Sequence, residues 1–255
     1  MELTVIASSS EGNAYVIQNE GEALLIEAGA HFSKTLEALG HNVAKVNGCL
    51  ITHEHGDHAG HVNEVLSYGL PVYASRGTCR AIEGKIRSAY KPRVIDFDSA
   101  GNYYQLQLGR FEVYPFAAKH DAAEPLAFFI WHPETGGILF ATDTYYIRPT
   151  FAGLNQVLIE CNYAPDLLTR NVEKNANGMT WQRAQRVRAS HLSLDTCLAT
   201  LKANDLSAVN NVILIHVSAG NGDPDRFKRE IEQATGKPTQ IARPGLKVNF
   251  NINPF

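Results

Sequence analysis

Ten residues of this chain are dense in groups able to hold a metal: Thr52-His53-Glu54-His55-Gly56-Asp57-His58-Ala59-Gly60-His61. His53, His55, Asp57 and His58 follow an apolar run, Cys49-Leu50-Ile51, that has the character of a buried strand. A strand flowing into a tight glycine-containing loop can aim such a cluster at one point. Imidazoles plus a carboxylate are the donor set of catalytic zinc, in which one coordination position stays open for water.

Three more residues stand where further ligands would have to stand, just past the ends of apolar runs. His120 follows Phe111–Phe116, Asp143 follows Ile138–Ala141, and His216 closes Asn211–Ile215. Each alone reads as a turn or surface residue; together with the first cluster they describe one site.

The elements that must position these residues follow from punctuation and periodicity. Short apolar runs at 3–7, 14–18 and 23–26 read as strands, with turns at Glu11-Gly12-Asn13 and Asn19-Glu20-Gly21. A helix is expected over 33–39, a strand over 49–52, a helix near 61–68, a strand over 71–74 and a helix over 76–88. Strands then follow at 103–108, 111–116, 126–131, 138–141 and 157–160. Helices at 163–173, 193–204 and 224–234, with strands at 211–215 and 246–252, complete the chain. Two similar halves of strands with interspersed helices predict sheets packed face to face, helices outside. Segment 170–190, basic and poor in apolar residues, reads as the loosest. No linker interrupts the 255 residues, so one domain over 1–255 is expected.

In order, His53-x-His55-x-Asp57-His58, His120, Asp143 and His216 resemble the signature of the metallo-β-lactamase superfamily. The resemblance implies an α+β fold, a four-layer αββα sandwich. It also implies two divalent ions, zinc or manganese. One ion would take His53, His55 and His120, and the other Asp57, His58 and His216, with Asp143 bridging. A hydroxide held between the ions would be the nucleophile, oriented by Asp57. The family usually carries aspartate where this chain has Glu27, in Leu25-Ile26-Glu27-Ala28-Gly29. Glu27 would orient the histidine loop by hydrogen bonds, one methylene longer.

Fold does not select the reaction. His191, in Ala189-Ser190-His191-Leu192-Ser193, resembles the phosphodiesterase branch, where the matching histidine contacts the scissile phosphate and protonates the leaving oxygen; a plain residue before a helix is the alternative. Ala7-Ser8-Ser9-Ser10-Glu11-Gly12-Asn13, His120-Asp121-Ala122-Ala123-Glu124-Pro125 and His216-Val217-Ser218 with Asn221 are similar to the YycJ/WalJ-like exonuclease family. That likeness implies a 5′-to-3′ DNA exonuclease linked to repair. The turn ending at Asn13 offers N–H groups to an anion, or is only a hairpin turn. Between 170 and 188, Arg170, Lys174, Arg183, Arg186 and Arg188 face one acid, Glu173. Of these, Arg183, Arg186 and Arg188 are expected to bind a nucleic acid, or to form a solvated helix face. A second basic run, 76–93, has the same two readings. Trp181 and Tyr163 are placed to stack on bases, with core packing the plainer expectation for Trp131 and for any single aromatic.

Net charge is −3, so no global basic field announces nucleic acid. The N-terminus lacks a signal-peptide pattern, and no apolar stretch reaches membrane length; a cytoplasmic protein without a membrane partner is expected. The cysteines Cys49, Cys79, Cys161 and Cys197 have no CxxC pair and read as free thiols. Two other functions stay open. One is a small-molecule hydrolase acting on a cyclic phosphodiester or thioester. The other is a non-hydrolytic redox or sensor protein, against which His55 stands where di-iron relatives carry glutamate.

Overall fold

The computed structural model describes residues 1–253. The first half runs β1 (Glu2–Ser9), β2 (Gly12–Gln18), β3 (Ala23–Ile26), α1 (Phe32–Ala38), β4 (Val46–Leu50), α2 (Gly56–Ala59), α3 (Val62–Ser67), β5 (Val72–Ser75), α4 (Arg76–Glu83) and β6 (Arg93–Ile95). The second half contains β7 (Leu106–Leu108), β8 (Phe111–Ala117), β9 (Leu126–His132), β10 (Gly136–Ala141), β11 (Leu154–Glu160), α5 (Pro165–Glu173), α6 (Trp181–Ser190), α7 (Leu194–Ala203), β12 (Asn211–Ile215), α8 (Pro224–Thr235) and β13 (Thr239–Ile241). A last strand, β14 (Lys247–Asn249), returns to the first sheet beside β1. The two seven-stranded sheets have the orders β14-β1-β2-β3-β4-β5-β6 and β13-β12-β11-β10-β9-β8-β7.

Strand alternation sorts the core into layers, because successive side chains leave opposite faces. Leu3 and Val5 face inward to meet Phe111, Phe128, Ile130 and Phe140 of the opposite sheet. Ile6, Val16 and Leu25 face outward onto Phe32, Val62, Val65 and Ile82 of the helices. Leu139, Val157, Ile159 and Leu214 do the same for Leu194, Leu201, Phe227 and Ile231. These three apolar layers make the expected αββα sandwich. Strands β2, β3, β10 and β11 are buried along their whole length, and β3 and β10 carry no polar side chain.

Strand direction matters most for the site. β3, β4, β5 and β6 are parallel to one another, as are β10, β11, β12 and β13. The polar residues closing β3, β4, β10, β11 and β12 therefore reach a common edge, where parallel sheets place their sites.

Several expectations change. Segment 170–190 is ordered, as α5 and α6: Thr180 caps α6 by accepting from Arg183 N, and Ala184 and Ser190 are its buried residues. Trp131 leaves the core, since its parity on β9 is opposite to that of the inward Phe128 and Ile130, and it is 39% exposed. The strand expected over 103–108 shortens to β7, and the helix over 76–88 ends at Glu83. All four cysteines are free. Among the described residues, no helix is long and apolar enough to cross a membrane.

Candidate metal centre

Three of the site residues have positive φ without being glycine: Glu27 at 66°, Asp143 at 46° and His216 at 52°. Each stands one or two residues past the end of β3, β10 or β12. This left-handed turn is costly for an L-residue and persists only where surroundings enforce it. It bends the chain sharply at the sheet edge. His53 follows β4 by three residues, and His55 is the N-cap of the four-residue α2, so Asp57 and His58 occupy its first turn. His120 lies in the loop joining β8 to β9.

Two donor groups result, one of His53, His55 and His120, the other of Asp57, His58, Asp143 and His216. His55 Nδ1 lies 3.0 Å from His53 Nε2 and 3.2 Å from His120 Nε2. A tetrahedral zinc with Zn–N of about 2.0–2.1 Å separates its ligand atoms by about 3.3 Å, so the three nitrogens fit one ion. Asp143 Oδ2 lies 3.5 Å from both His120 Nε2 and His58 Nε2, between the groups. His216 Nε2 is buried without a hydrogen-bond partner and lies 3.5 Å from Asp57 Oδ2, as a ligand awaiting its cation would. The donor set suits divalent metals.

The other nitrogen of these rings is held by the protein, which fixes which one faces the cluster. The Thr52 hydroxyl donates to Glu27 Oε1 and accepts from His53 Nδ1 at 2.9 Å. The same Glu27 oxygen is 3.2 Å from His58 Nδ1, an ion-pair contact without hydrogen-bond alignment, so the carboxylate supports His58 directly and His53 through Thr52. His120 Nδ1 donates to Ser190 O at 2.9 Å. His216 Nδ1 is 3.0 Å from Glu160 Oε1. His216 and His58 also hold Asp57 ionised: burial opposes this, but their contacts bring its carboxyl well below the usual range.

Glu160, fully buried at the end of β11, escaped the sequence reading. Besides His216, Oε1 accepts from His191 Nδ1 at 2.7 Å, while Oε2 accepts from Leu192 N and Thr144 N. An acid closing the otherwise apolar run Val157-Leu158-Ile159 was the signal available. Burial disfavours a charged His191, yet the Glu160 carboxylate outweighs it and raises the imidazole above its ordinary pKa. The His191 ring stacks 5.4 Å from His216 and stands 5.5 Å from His120.

A cavity of about 470 Å³ opens over this cluster, lined by Asp57, Asp143, His191 and His216 and, on α6, by Arg183 and Arg186. Arg186 is paired there with Asp121 at 2.8 Å. Arg188 does not line the cavity; its Nη2 points to Thr169 Oγ1 at 3.5 Å. Asn13 lies beneath the loop rather than in the cavity, 1% exposed, its Nδ2 donating to Ser9 O and facing His58 Nε2. Ser10 of the same turn does line it. None of the basic residues of 76–93 does; Arg76 pairs with Asp96 and Arg93 lies over Tyr73. Trp181 is exposed, and Tyr163 is buried.

A family model described as the metallo-beta-lactamase superfamily matches residues 10–156. The chain is 27% identical over 244 residues to exodeoxyribonuclease YycJ of Bacillus anthracis, covering 91% of this chain and 88% of that one. It is 26% identical to exodeoxyribonuclease WalJ of Streptococcus pneumoniae, covering 86% and 82%. Among solved structures, the metallo-beta-lactamase fold protein YhfI of Bacillus subtilis superimposes with a TM-score of 0.68 at 16% identity, covering 97% of this chain and 99% of that one.

Proposed function

The chain belongs to the metallo-beta-lactamase superfamily of hydrolases, and from that premise we propose that it is a metal-dependent DNA exonuclease working from the 5′ end. The observation that carries this reading is the His191–Glu160 pair beside the metal cluster. Glu160 accepts the hydrogen bond from Nδ1, leaving Nε2 as the atom for proton transfer to a substrate. A phosphodiester needs such a donor, because its alkoxide leaving group departs poorly unprotonated. The arginines on α6 and the two exodeoxyribonuclease relatives support a polynucleotide over a small ester.

In this mechanism His53, His55 and His120 would hold one divalent ion, Asp57, His58 and His216 would hold a second, and Asp143, placed between the two groups, would be available to either. Zinc or manganese bound there would supply Lewis-acid charge and would acidify water at neutral pH. Asp57 orients the attacking water and takes its proton. The new bond joins the water oxygen to phosphorus, and the P–O3′ bond breaks. His191 protonates the departing 3′ oxygen, so the product carries a 5′-phosphate. Arg183 and Arg186 hold neighbouring phosphates, Arg186 exchanging its Asp121 partner for substrate. Such contacts are salt-sensitive.

The test is digestion of 5′- and 3′-labelled single- and double-stranded DNA and RNA with zinc or manganese. The expected result is DNA shortened from the 5′ end, with no cleavage in chelator. Polymers left intact while bis-p-nitrophenyl phosphate is hydrolysed would move the assignment to a small phosphodiester.

A further inference from the structure

Outside the cleft, His31, His61 and Glu64 bring three donor atoms to within 4.8 Å of one another. His31 precedes α1, His61 precedes α3, and Glu64 lies in the first turn of α3. Glu64 Oε1 is 2.7 Å from His61 Nδ1 and 3.2 Å from His31 Nδ1, and the two rings stand 4.1 Å apart. The other oxygen, Oε2, accepts from Phe32 N at 2.8 Å, which holds the carboxylate in place between the two loops.

We propose that His31, His61 and Glu64 form a further divalent-metal site, of the zinc class, on the back of the histidine loop. Two imidazoles and a carboxylate select zinc-class ions over magnesium or calcium. The 3.2 Å separation already matches ligand atoms on one ion, and the 2.7 Å contact is a hydrogen bond that a few tenths of an ångström would open. The partial exposure of His31 and Glu64 leaves coordination positions for water. The site is tied to the catalytic loop through the backbone: His61 N donates to Ala28 O, and Ala28 N donates to His58 O, both at 2.8 Å. An ion there fastens α1 and α3 to the turn that carries His58.

Equilibrium dialysis of the full chain against zinc, with metal counted per chain, tests this. His31→Ala removes a mostly exposed ring, and Glu64→Gln keeps an oxygen for Phe32 N. Each variant is expected to hold one zinc fewer than the parent. Equal counts in the parent and both variants would overturn the site. A second measurement guards against metal lost indirectly from the cleft: the His31 and His61 imidazole ¹⁵N resonances of the parent should shift as the last equivalent binds. If those resonances stay fixed, the proposal fails even where the counts differ.

Discussion

At the residue scale, the site works by committing one nitrogen of a ring to the protein and leaving the other free. Thr52 and Glu27 do this for His53, Ser190 O for His120, and Glu160 for both His191 and His216. The two carboxylates therefore have separable jobs, and substitutions should separate them. His191→Ala removes the proton donor while every expected ligand stays in the chain. We expect kcat for DNA to fall by about 10²–10⁴-fold while metal content, measured by elemental analysis, stays at the parental level. Parental kcat in that variant would take His191 out of the chemistry. Glu27→Ala should do the opposite. It strips support from His58 and His53 together, so metal affinity should drop by about 10–100-fold, and excess metal should restore much of the rate. Metal titration of the rate separates the two behaviours.

At the element scale, what was legible in the sequence was whatever an apolar run punctuates. Asp143 and His216 were visible because each closely follows a run of buried residues, and His120 because it follows the half-buried strand β8. Glu160 obeys the same rule, but a glutamate closing an apolar run reads equally as an exposed turn residue, and only the fold shows it buried. Helix α6 was illegible for a different reason. It buries Ala184 and Ser190, too little to mark a stripe, and its start is declared by the Thr180 cap and its Gln- and Arg-rich composition. Strands β6 and β13 are three residues long at sheet edges, below what periodicity resolves. One close approach between elements was equally hidden. A Cβ added to Gly29 would lie 1.7 Å from Asp57 O, so α2 sits directly on the backbone leaving β3. Gly29→Ala must therefore push α2 away from the sheet edge. The variant should lose metal from the Asp57–His58 side and lose about 1–3 kcal/mol of stability, read by metal content and chemical denaturation. A fully loaded, parentally stable Gly29→Ala protein would contradict this packing.

At the scale of the whole molecule, the two sheets are clamped at both ends by polar groups, with the apolar core between. The metal cluster joins them at one edge. At the other, Glu22 before β3 accepts from Arg110 Nε at 2.6 Å and lies 3.0 Å from His132 Nε2 on β9. Arg110 also pairs with Glu134, which meets the amino group of Met1. Burial alone would raise the Glu22 carboxyl, but the Arg110 backbone N–H, His132 and the Arg110 guanidinium outweigh it and lower the pKa. A depressed folded pKa means that the unfolded chain binds the proton more readily. The stabilisation is therefore present above the unfolded value, about 4.5, and disappears as pH falls through the lower folded value. Glu22→Gln should consequently be less stable than the parent at pH 7, and the gap should close as pH falls toward 3. Denaturant midpoints of the two metal-free proteins across that range provide the measurement, since titration of the opposite clamp is common to both and cancels in the difference. A gap that stays constant with pH would mean that Glu22 acts through packing alone, and that its charge does not hold the sheets together.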